Sequence, residues 1–163
     1  MKLRWFSNNC VHGEDVGVDC FYSSSNSNPA FYAEASSSYP ISSISANQTL
    51  IFRRVIYNEG GHYNSGSGKF TAAIPGTYVF HLGLKPSGNV PVKAHIMRYT
   101  NDRLAVVDSD DGHGYVHFAS NMAILKLSKN QIVFVQVDNP QSSGATLNNE
   151  LNFFSGFLLH RDL

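Results

Sequence analysis

Three carboxylates stand close together in the Gly-rich run DSDDGHG, which has the residue types that a metal site requires. Asp108, Asp110 and Asp111 carry oxygen ligands of the kind that Ca2+ prefers. The spacing departs from an EF-hand loop, because the third carboxylate is displaced and no Glu closes the run. We therefore favour a solvated acidic turn and keep these residues as a weak calcium candidate.

Motifs for nucleophilic or metal-assisted catalysis are missing from the sequence. Ser, His and Asp are plentiful, yet there is neither a G-x-S-x-G nucleophile elbow nor an H-E-x-x-H metal motif. The two cysteines have no neighbouring His or Cys at the spacing of a zinc site. We expect a protein without enzymatic activity and without a required cofactor.

Three runs rich in hydroxyl, amide and aromatic groups have the chemistry that recognises sugars. Neutral sugars are bound by a planar ring with amide hydrogen bonds, and acidic sugars by Arg, His or hydroxyl donors. The candidate ligand-binding residues are His62, Asn64, Arg103, His113, Tyr115 and Asn139. The sequence alone does not say which of these runs share one end of the fold.

Two features are typical of a secreted chain. Cys10 and Cys20 form an even pair in a Ser- and Asn-rich sequence, which favours a disulfide. Asn47 begins the sequon Asn-Gln-Thr at a predicted loop-to-strand junction, where N-glycosylation is compatible with the fold. We expect a secreted protein whose signal peptide has been removed, and a cytosolic protein with two free thiols is the alternative.

Composition indicates one folded domain that is neither basic nor membrane-spanning. The 163 residues suit a single domain, and a hydrophobic content of 42% is enough for a packed core. Charged residues make up 15%, and the formal net charge is zero. Nucleic acid is therefore not an expected partner. No apolar run reaches the ~18–20 residues that span a membrane.

The pattern from Ala30 onward predicts strands throughout and no helix. Apolar and polar residues alternate, as in TYVFHLGLK, and Gly-, Asn- and Ser-rich turns separate the runs. The predicted strand runs are AFYAEAS, TLIFRRVIYN, TYVFHLGLK, VPVKAHIMRY, YVHFASNMAILKL, QIVFVQVDN and LNFFSGFLLH. Short strands at this spacing indicate an all-β sandwich or barrel over residues 30–163. Residues 1–29 are interpreted as a polar N-terminal segment that carries the Cys pair.

The run QIVFVQV is apolar on both of its faces. Val133, Val135 and Val137 share one face, and Ile132 and Phe134 share the other. A sandwich strand usually needs only one apolar face, so a second one must be covered. The second apolar face could be covered equally well by a neighbouring subunit or by a loop folded back from the same chain.

The centre of the chain carries a spaced set of aromatic, Asn and Gly residues within FRRVIYNEGGHYNSGSGKFTAAIPGTYVF. The set consists of Phe52, Asn58, Tyr63, Phe70, Gly76, Tyr78 and Phe80. The runs FFSGFLL and YVHFASNMAILKL add two further matches in the same order. From Ala30 to Leu163 the chain resembles the globular head domain of complement C1q, within the C1q and TNF superfamily.

The resemblance implies a ten-stranded jelly-roll β-sandwich and a compact trimer. Some relatives hold calcium near the threefold axis through an Asp-Gln pair before Ala-Ser-Gly. Here that position reads His117-Phe118 before Ala-Ser-Asn, so the expected carboxylate is missing. Asp108 matches the family's other loop aspartate, which leaves calcium as an optional ligand. Three copies of His117 would converge if this residue lay near the axis, and a structural histidine is the favoured alternative.

The resemblance also implies a binding function. A short Ser- and Asn-rich chain without Gly-X-Y repeats looks most like the stand-alone invertebrate members of the family, which are regarded as lectins. We therefore expect a homotrimeric pattern-recognition protein of innate immunity that binds glycans, sialic acid among them. The alternative is a cerebellin-like or cytokine-like ligand of a protein receptor, because NQTLIFRRVIYN resembles the cerebellins.

Overall fold

The computed structural model contains strands as its only regular elements within the residues that it describes. The described residues are 5–7, 10–13, 16–20, 27–38, 40–42, 44–87, 90–99, 101–110, 116–138, 145–148 and 151–162, the first three ranges as backbone only. The strands are β1 Trp5–Ser7, β2 Cys10–Gly13, β3 Val16–Cys20, β4 Ala30–Glu34, β5 Arg54–Glu59, β6 Tyr63–Asn64, β7 Lys69–Thr71, β8 Gly76–Leu84, β9 Lys93–Arg98, β10 Asp102–Asp108, β11 Ala119–Leu127, β12 Ile132–Val137 and β13 Phe153–Arg161.

Ten of these strands form two antiparallel sheets of five. Sheet I has the order β11-β8-β13-β4-β5, and sheet II has the order β10-β9-β12-β7-β6. Neighbouring strands are often distant in sequence, as β4 and β13 are, which is the jelly-roll pattern of connection. The expected all-β, ten-stranded jelly roll is confirmed.

Aromatic rings fill the space between the two sheets. The Phe31 ring stacks on Tyr63 at a centroid distance of 4.6 Å and on Phe70 at 5.3 Å. Phe80 and Phe154, which are fully buried, close the cluster from sheet I. These residues point inward because alternate positions of a strand face the same side of its sheet. The rings of the sequence signature therefore form the core.

Three strands of sheet II were not foreseen from the sequence. β6 lies in the Gly-rich run NEGGHYNSGSG, which predicted only a turn, β7 directly follows that run, and β10 covers DRLAVVD. In β10 the register shifts between Arg103 and Ala105, so the simple alternation that marks a strand is broken there. Both β6 and β7 are too short for a periodic signal.

The second apolar face of β12 is covered by the chain itself. Phe134 is 6% exposed in the single chain, and the Lys69 ammonium lies 5.7 Å from the centre of its ring. Met97, directly opposite Phe134 on β9, is 1% exposed. Phe134 is therefore buried within the single chain, and the two apolar faces of this strand give no support for a subunit interface.

The N-terminal strands form a separate three-stranded sheet in the order β1-β2-β3. Its register sets Cys10 opposite Cys20 across the β2–β3 pair. Their side chains lie outside the described part, so the disulfide stays a prediction. Among the described residues, no helix has the length and apolar character needed to cross a membrane.

Candidate functional site

The outward side of sheet I carries side chains in rows that run across all five strands. One row places Ile124, Val79 and Phe157 side by side on β11, β8 and β13. Residues in register on antiparallel strands point to the same side of the sheet, with their Cβ atoms ~4.5–5.5 Å apart. The next row reads Met122, His81, Ser155, Tyr32 and Tyr57.

These rows form a largely apolar surface that faces solvent in the single chain. Ile124 is 61% exposed, Met122 54% and Phe157 46%. Leu159 and Tyr57 are also more than half exposed at the margins of the same surface. We call this surface the apolar face of sheet I. Contiguous exposure of large apolar side chains on a soluble domain marks an interaction surface.

Charged groups are confined to the borders of the apolar face. Glu34 accepts a 2.6 Å hydrogen bond from the Arg54 guanidinium at one border. Burial, and then the hydrogen bond with Glu34, raises the pKa of the neighbouring Tyr32 hydroxyl. Lys126 pairs with Asp162 at 3.4 Å at the opposite border. A partner surface that covers the centre of this face therefore meets few charges.

The outward side of sheet II has a contrasting, charged character. Asp138 follows β12 and lies 2.5 Å from the Arg103 guanidinium and 3.1 Å from His95 Nε2. His95 Nε2 is buried, and Asp138 is its charged neighbour at this distance. His95, followed by the charge of Arg103, holds the pKa of Asp138 below its ordinary value. Lys93 and Asp108 form a further ion pair at 3.1 Å. We call these five residues the charged cluster of sheet II.

A model of the C1q domain family matches residues 30–159. This chain belongs to the C1q domain family. The C1q domain of this chain also resembles complement C1q tumor necrosis factor-related protein 2 of Mus musculus, with 29% identity over 145 residues. The match covers 88% of this chain and 47% of that protein, so the chain spans about half the length of the relative.

Two solved structures share the fold of this C1q domain. The globular domain of zebrafish complement 1qA matches with a TM-score of 0.63 and 18% identity, over 83% of this chain and 100% of the zebrafish chain. Murine APRIL at pH 5.0 matches with a TM-score of 0.62 and 9% identity, over 82% and 100% of the two chains. At these identities the likeness concerns the fold alone.

The C1q signature residues have structural roles in this chain. Asn58 Oδ1 accepts the Tyr63 amide at 3.1 Å, and Asn58 Nδ2 donates to the Tyr63 carbonyl at 2.8 Å. This pair of bonds closes the turn between β5 and β6. The Tyr63 hydroxyl lies 3.1 Å from both the amide nitrogen and the carbonyl oxygen of Phe52, and burial raises the pKa of Tyr63 to about 12. The signature marks the fold and not a ligand site.

Two of the candidate ligand residues, Arg103 and Asn64, are not brought together by the C1q fold. Arg103 lies on β10, whereas Asn64 lies on β6, at the opposite edge of sheet II. Four strand spacings separate these edges by roughly 19 Å. Asn64 Oδ1 accepts the backbone amides of Gly66 and Ser67, both at 2.9 Å, and so stabilises its own turn. His62 packs edge-on against Phe70.

The other ligand candidates, His113, Tyr115 and Asn139, fall outside the described residues. Asn139 directly follows Asp138 in the chain, so the backbone connects it to the charged cluster of sheet II. Of the sequence-predicted set, Arg103 is therefore the residue that the structure places in a defined polar surface.

The acidic run holds no metal cluster within the residues that the structure describes. Asp108 pairs with Lys93, and its Oδ1 accepts the Asp110 amide at 3.2 Å. Asp111 lies outside the described residues. His117 is exposed, just before β11, and its amide donates to the Ser109 carbonyl at 3.0 Å. Calcium binding stays an untested expectation.

Asn47 lies in an exposed turn with a left-handed backbone, at φ 61°. Its amide donates to the Val137 carbonyl, and Gln136 Nε2 donates to its carbonyl oxygen. These contacts use the backbone of Asn47 and place the sequon beside the end of β12, on sheet II. A glycan attached there would stand away from the apolar face of sheet I.

Sequence reasoning missed one exposed aromatic residue. Tyr99 follows β9 at the tip of the β9–β10 hairpin, is 52% exposed and has φ 60°. A left-handed conformation is unfavourable for a bulky residue. Just behind the tip, both Arg98 Nε and Nη2 lie 2.7 Å from Asp102 Oδ2, which holds the hairpin together. The residues around Tyr99, RYTND, have the composition of an ordinary polar turn, so the sequence does not indicate an exposed ring there.

Proposed function

We propose that this C1q domain is a secreted, non-enzymatic recognition protein that acts as a homotrimer and binds glycans. The observation that carries the proposal is the apolar face of sheet I. Its exposed side chains lie in register across the sheet, so they form one surface and not scattered contacts. A secreted protein at working concentration needs such a surface covered.

A second copy of the same chain is the occupant that the family supports. C1q/TNF-like domains typically form trimers, and the fold of this chain is of that type. The face is apolar at its centre with ion pairs at its borders, which is the anatomy of a stable protein interface. In a closed ring each copy buries this face against its neighbour.

Glycans are the ligand class that the remaining surface favours. The net charge is zero, so a polyanion would find no broad basic surface. Tyr99 offers an exposed ring on which the apolar side of a sugar can stack. The Arg103 side chain is 52% exposed, and Asp138 fixes its position, which suits the carboxylate of an acidic sugar such as sialic acid.

A trimer would use these weak sites together. Single sugar sites bind weakly, and three sites on one particle gain roughly 100-fold or more on a multivalent surface, by effective concentration. This argument supports pattern recognition on microbial or cell-surface carbohydrate. Calcium is not needed for the contacts described.

A protein receptor is the second candidate ligand. The likeness to complement C1q tumor necrosis factor-related protein 2 extends over 88% of this chain and supports a ligand role equally well. In that case the same homotrimer would present its outward surfaces to a receptor chain. The trimer is common to both candidates, and the ligand separates them.

A glycan array printed with neutral and sialylated glycans tests the ligand class. We expect binding to at least one glycan type, confirmed by calorimetry with the free sugar, and binding that persists in a chelator. The matched control is the Arg103→Gln variant, which should lose sialylated glycans and keep neutral ones. Absence of all glycan binding, together with nanomolar capture of a cell-surface protein, would assign the domain to the receptor-ligand class.

A further inference from the structure

His81 occupies the centre of the apolar face of sheet I. On β8 it stands directly opposite Met122 of β11 and Ser155 of β13. Its ring meets Phe153 edge-on at a centroid distance of 5.0 Å. Two of these three neighbours are apolar, and Met122 is 54% exposed. The imidazole is therefore half-buried in the single chain and surrounded by the residues that an assembled trimer would cover.

Other charged groups of sheet I lie away from His81. Glu34 and Arg54 are paired with each other on β4 and β5, at least two strands from β8. Lys126 pairs with Asp162, and the register sets Lys126 and His160 beside Thr77, at the beginning of β8. Neither of the direct cross-strand neighbours of His81, Met122 and Ser155, carries a carboxylate. Among the residues that the structure describes, a charged imidazole at this position therefore has no adjacent counter-ion.

We infer that His81 makes assembly through the apolar face dependent on pH, with the trimer favoured at neutral pH and released in mild acid. The inference rests on the proposed homotrimer. Covering His81 with the apolar face of a second copy admits the neutral imidazole and excludes the charged one, because an unpaired buried charge is strongly unfavourable. Histidine is the side chain that changes charge in this pH range.

The expected size of the effect follows from linkage. An ordinary histidine at about pH 5.5 is roughly tenfold more often charged than neutral. If each interface admits only the neutral form, each copy loses about tenfold in association. Three copies then lose about a thousandfold in the association constant of the trimer, whereas at about pH 7.5 the loss is negligible.

Sedimentation velocity of the full chain at micromolar concentration, at about pH 7.5 and about pH 5.5, tests the inference. We expect a trimer at the higher pH and dissociation at the lower one. The His81→Gln variant keeps a neutral polar group, and we expect it to remain trimeric at both values. The matched control is His62→Gln, which removes a histidine of the β5–β6 turn, away from the apolar face of sheet I, and should dissociate in acid as the native chain does.

A second variant guards against loss of folding in His81→Gln. Met122→Lys places a permanent charge beside His81 at an exposed position, and it should be monomeric and folded at both pH values. A native chain that is monomeric at about pH 7.5 would overturn the proposed trimer and this inference together. A native trimer that persists at about pH 5.5, or a His81→Gln variant that still dissociates there, would overturn the role of His81 and leave the trimer standing.

Discussion

Replacing Tyr63 by Phe removes one hydroxyl that satisfies two buried backbone groups. Tyr63 is 3% exposed, and its hydroxyl lies 3.1 Å from both the amide nitrogen and the carbonyl oxygen of Phe52, which is fully buried. A buried polar group left without a partner costs ~1–3 kcal/mol. The gain from burying a ring without a hydroxyl offsets part of two such losses. We therefore expect Tyr63→Phe to lower the free energy of unfolding by about 2–4 kcal/mol.

Thermal and denaturant unfolding measure this loss. In a domain of this size about 1 kcal/mol corresponds to ~2–4 °C, so the melting temperature should fall by roughly 5–15 °C. The matched control is Tyr99→Phe, which removes the hydroxyl of an exposed tyrosine and should change the melting temperature by less than about 2 °C. Equal melting temperatures for native and Tyr63→Phe proteins would refute the assignment of these two hydrogen bonds.

The same residue gives an alkaline signature. Burial raises the pKa of Tyr63 from the ordinary tyrosine value of 10.0 to about 12. Because the pKa is higher in the folded chain, the associated stability is complete below about pH 10 and is lost as the pH rises towards 12. Ultraviolet titration should show one late-ionising tyrosine fewer in Tyr63→Phe than in the native protein. Ionisation of every tyrosine near pH 10 in the folded protein would contradict the burial argument.

Three further predictions concern the two outward surfaces. Ile124→Asp should convert the trimer to a folded monomer of 18.0 kDa in light scattering. The reason is that about 1–2 kcal/mol of apolar burial per copy is replaced by the desolvation of a charge. The control, Val106→Asp on sheet II, should stay trimeric. Asp138→Asn should lower the stability of the fold at neutral pH and reduce the further loss of stability in acid. The pKa of Asp138 is lowered in the folded chain, so its contribution to stability is present above about pH 4 and is lost as the pH falls. Acid unfolding curves that are the same for the native and variant proteins would count against this. Tyr99→Asn should weaken glycan binding about tenfold. The melting temperature should stay equal or rise, because Asn tolerates a left-handed backbone better than Tyr. Glycan binding that is retained would exclude Tyr99 from the site.

The sequence predicts the sandwich well because alternation reports which residues face the core. Tyr78, Phe80 and Leu82 are all buried, as their period-two spacing requires. The outward side is harder, because an apolar residue there looks the same whether its own chain or another chain covers it. Phe134 on β12 and Ile124 on β11 are both outward and apolar, yet the first is 6% exposed and the second 61%. Position in the sheet does not separate them either, because Phe157 lies outward on β13, the central strand of sheet I, and is 46% exposed.

The candidate ligand site was less predictable for a related reason. Arg103 and Asn64 both lie in polar runs, and the sequence does not record that the jelly-roll crossovers send them to opposite edges of sheet II. The partner of Arg103, Asp138, is 35 residues away in sequence and is fixed by the β9–β12 pairing. The left-handed backbone of Tyr99 depends on hairpin geometry and has no compositional mark.

The first and last strands of the C1q domain meet in a way that sets its response to mechanical load. β4 begins where β13 ends, with the Leu158 amide donating to the Pro29 carbonyl at 2.9 Å and the Arg161 Nε donating to Asn28 Oδ1 at 3.1 Å. Force applied between residues 27 and 162 therefore opens the β4–β13 ladder from one end. Its hydrogen bonds break in succession and do not share the load. The domain should yield at low force when it is pulled by its two ends, and should resist more when it is pulled along the strands of sheet I.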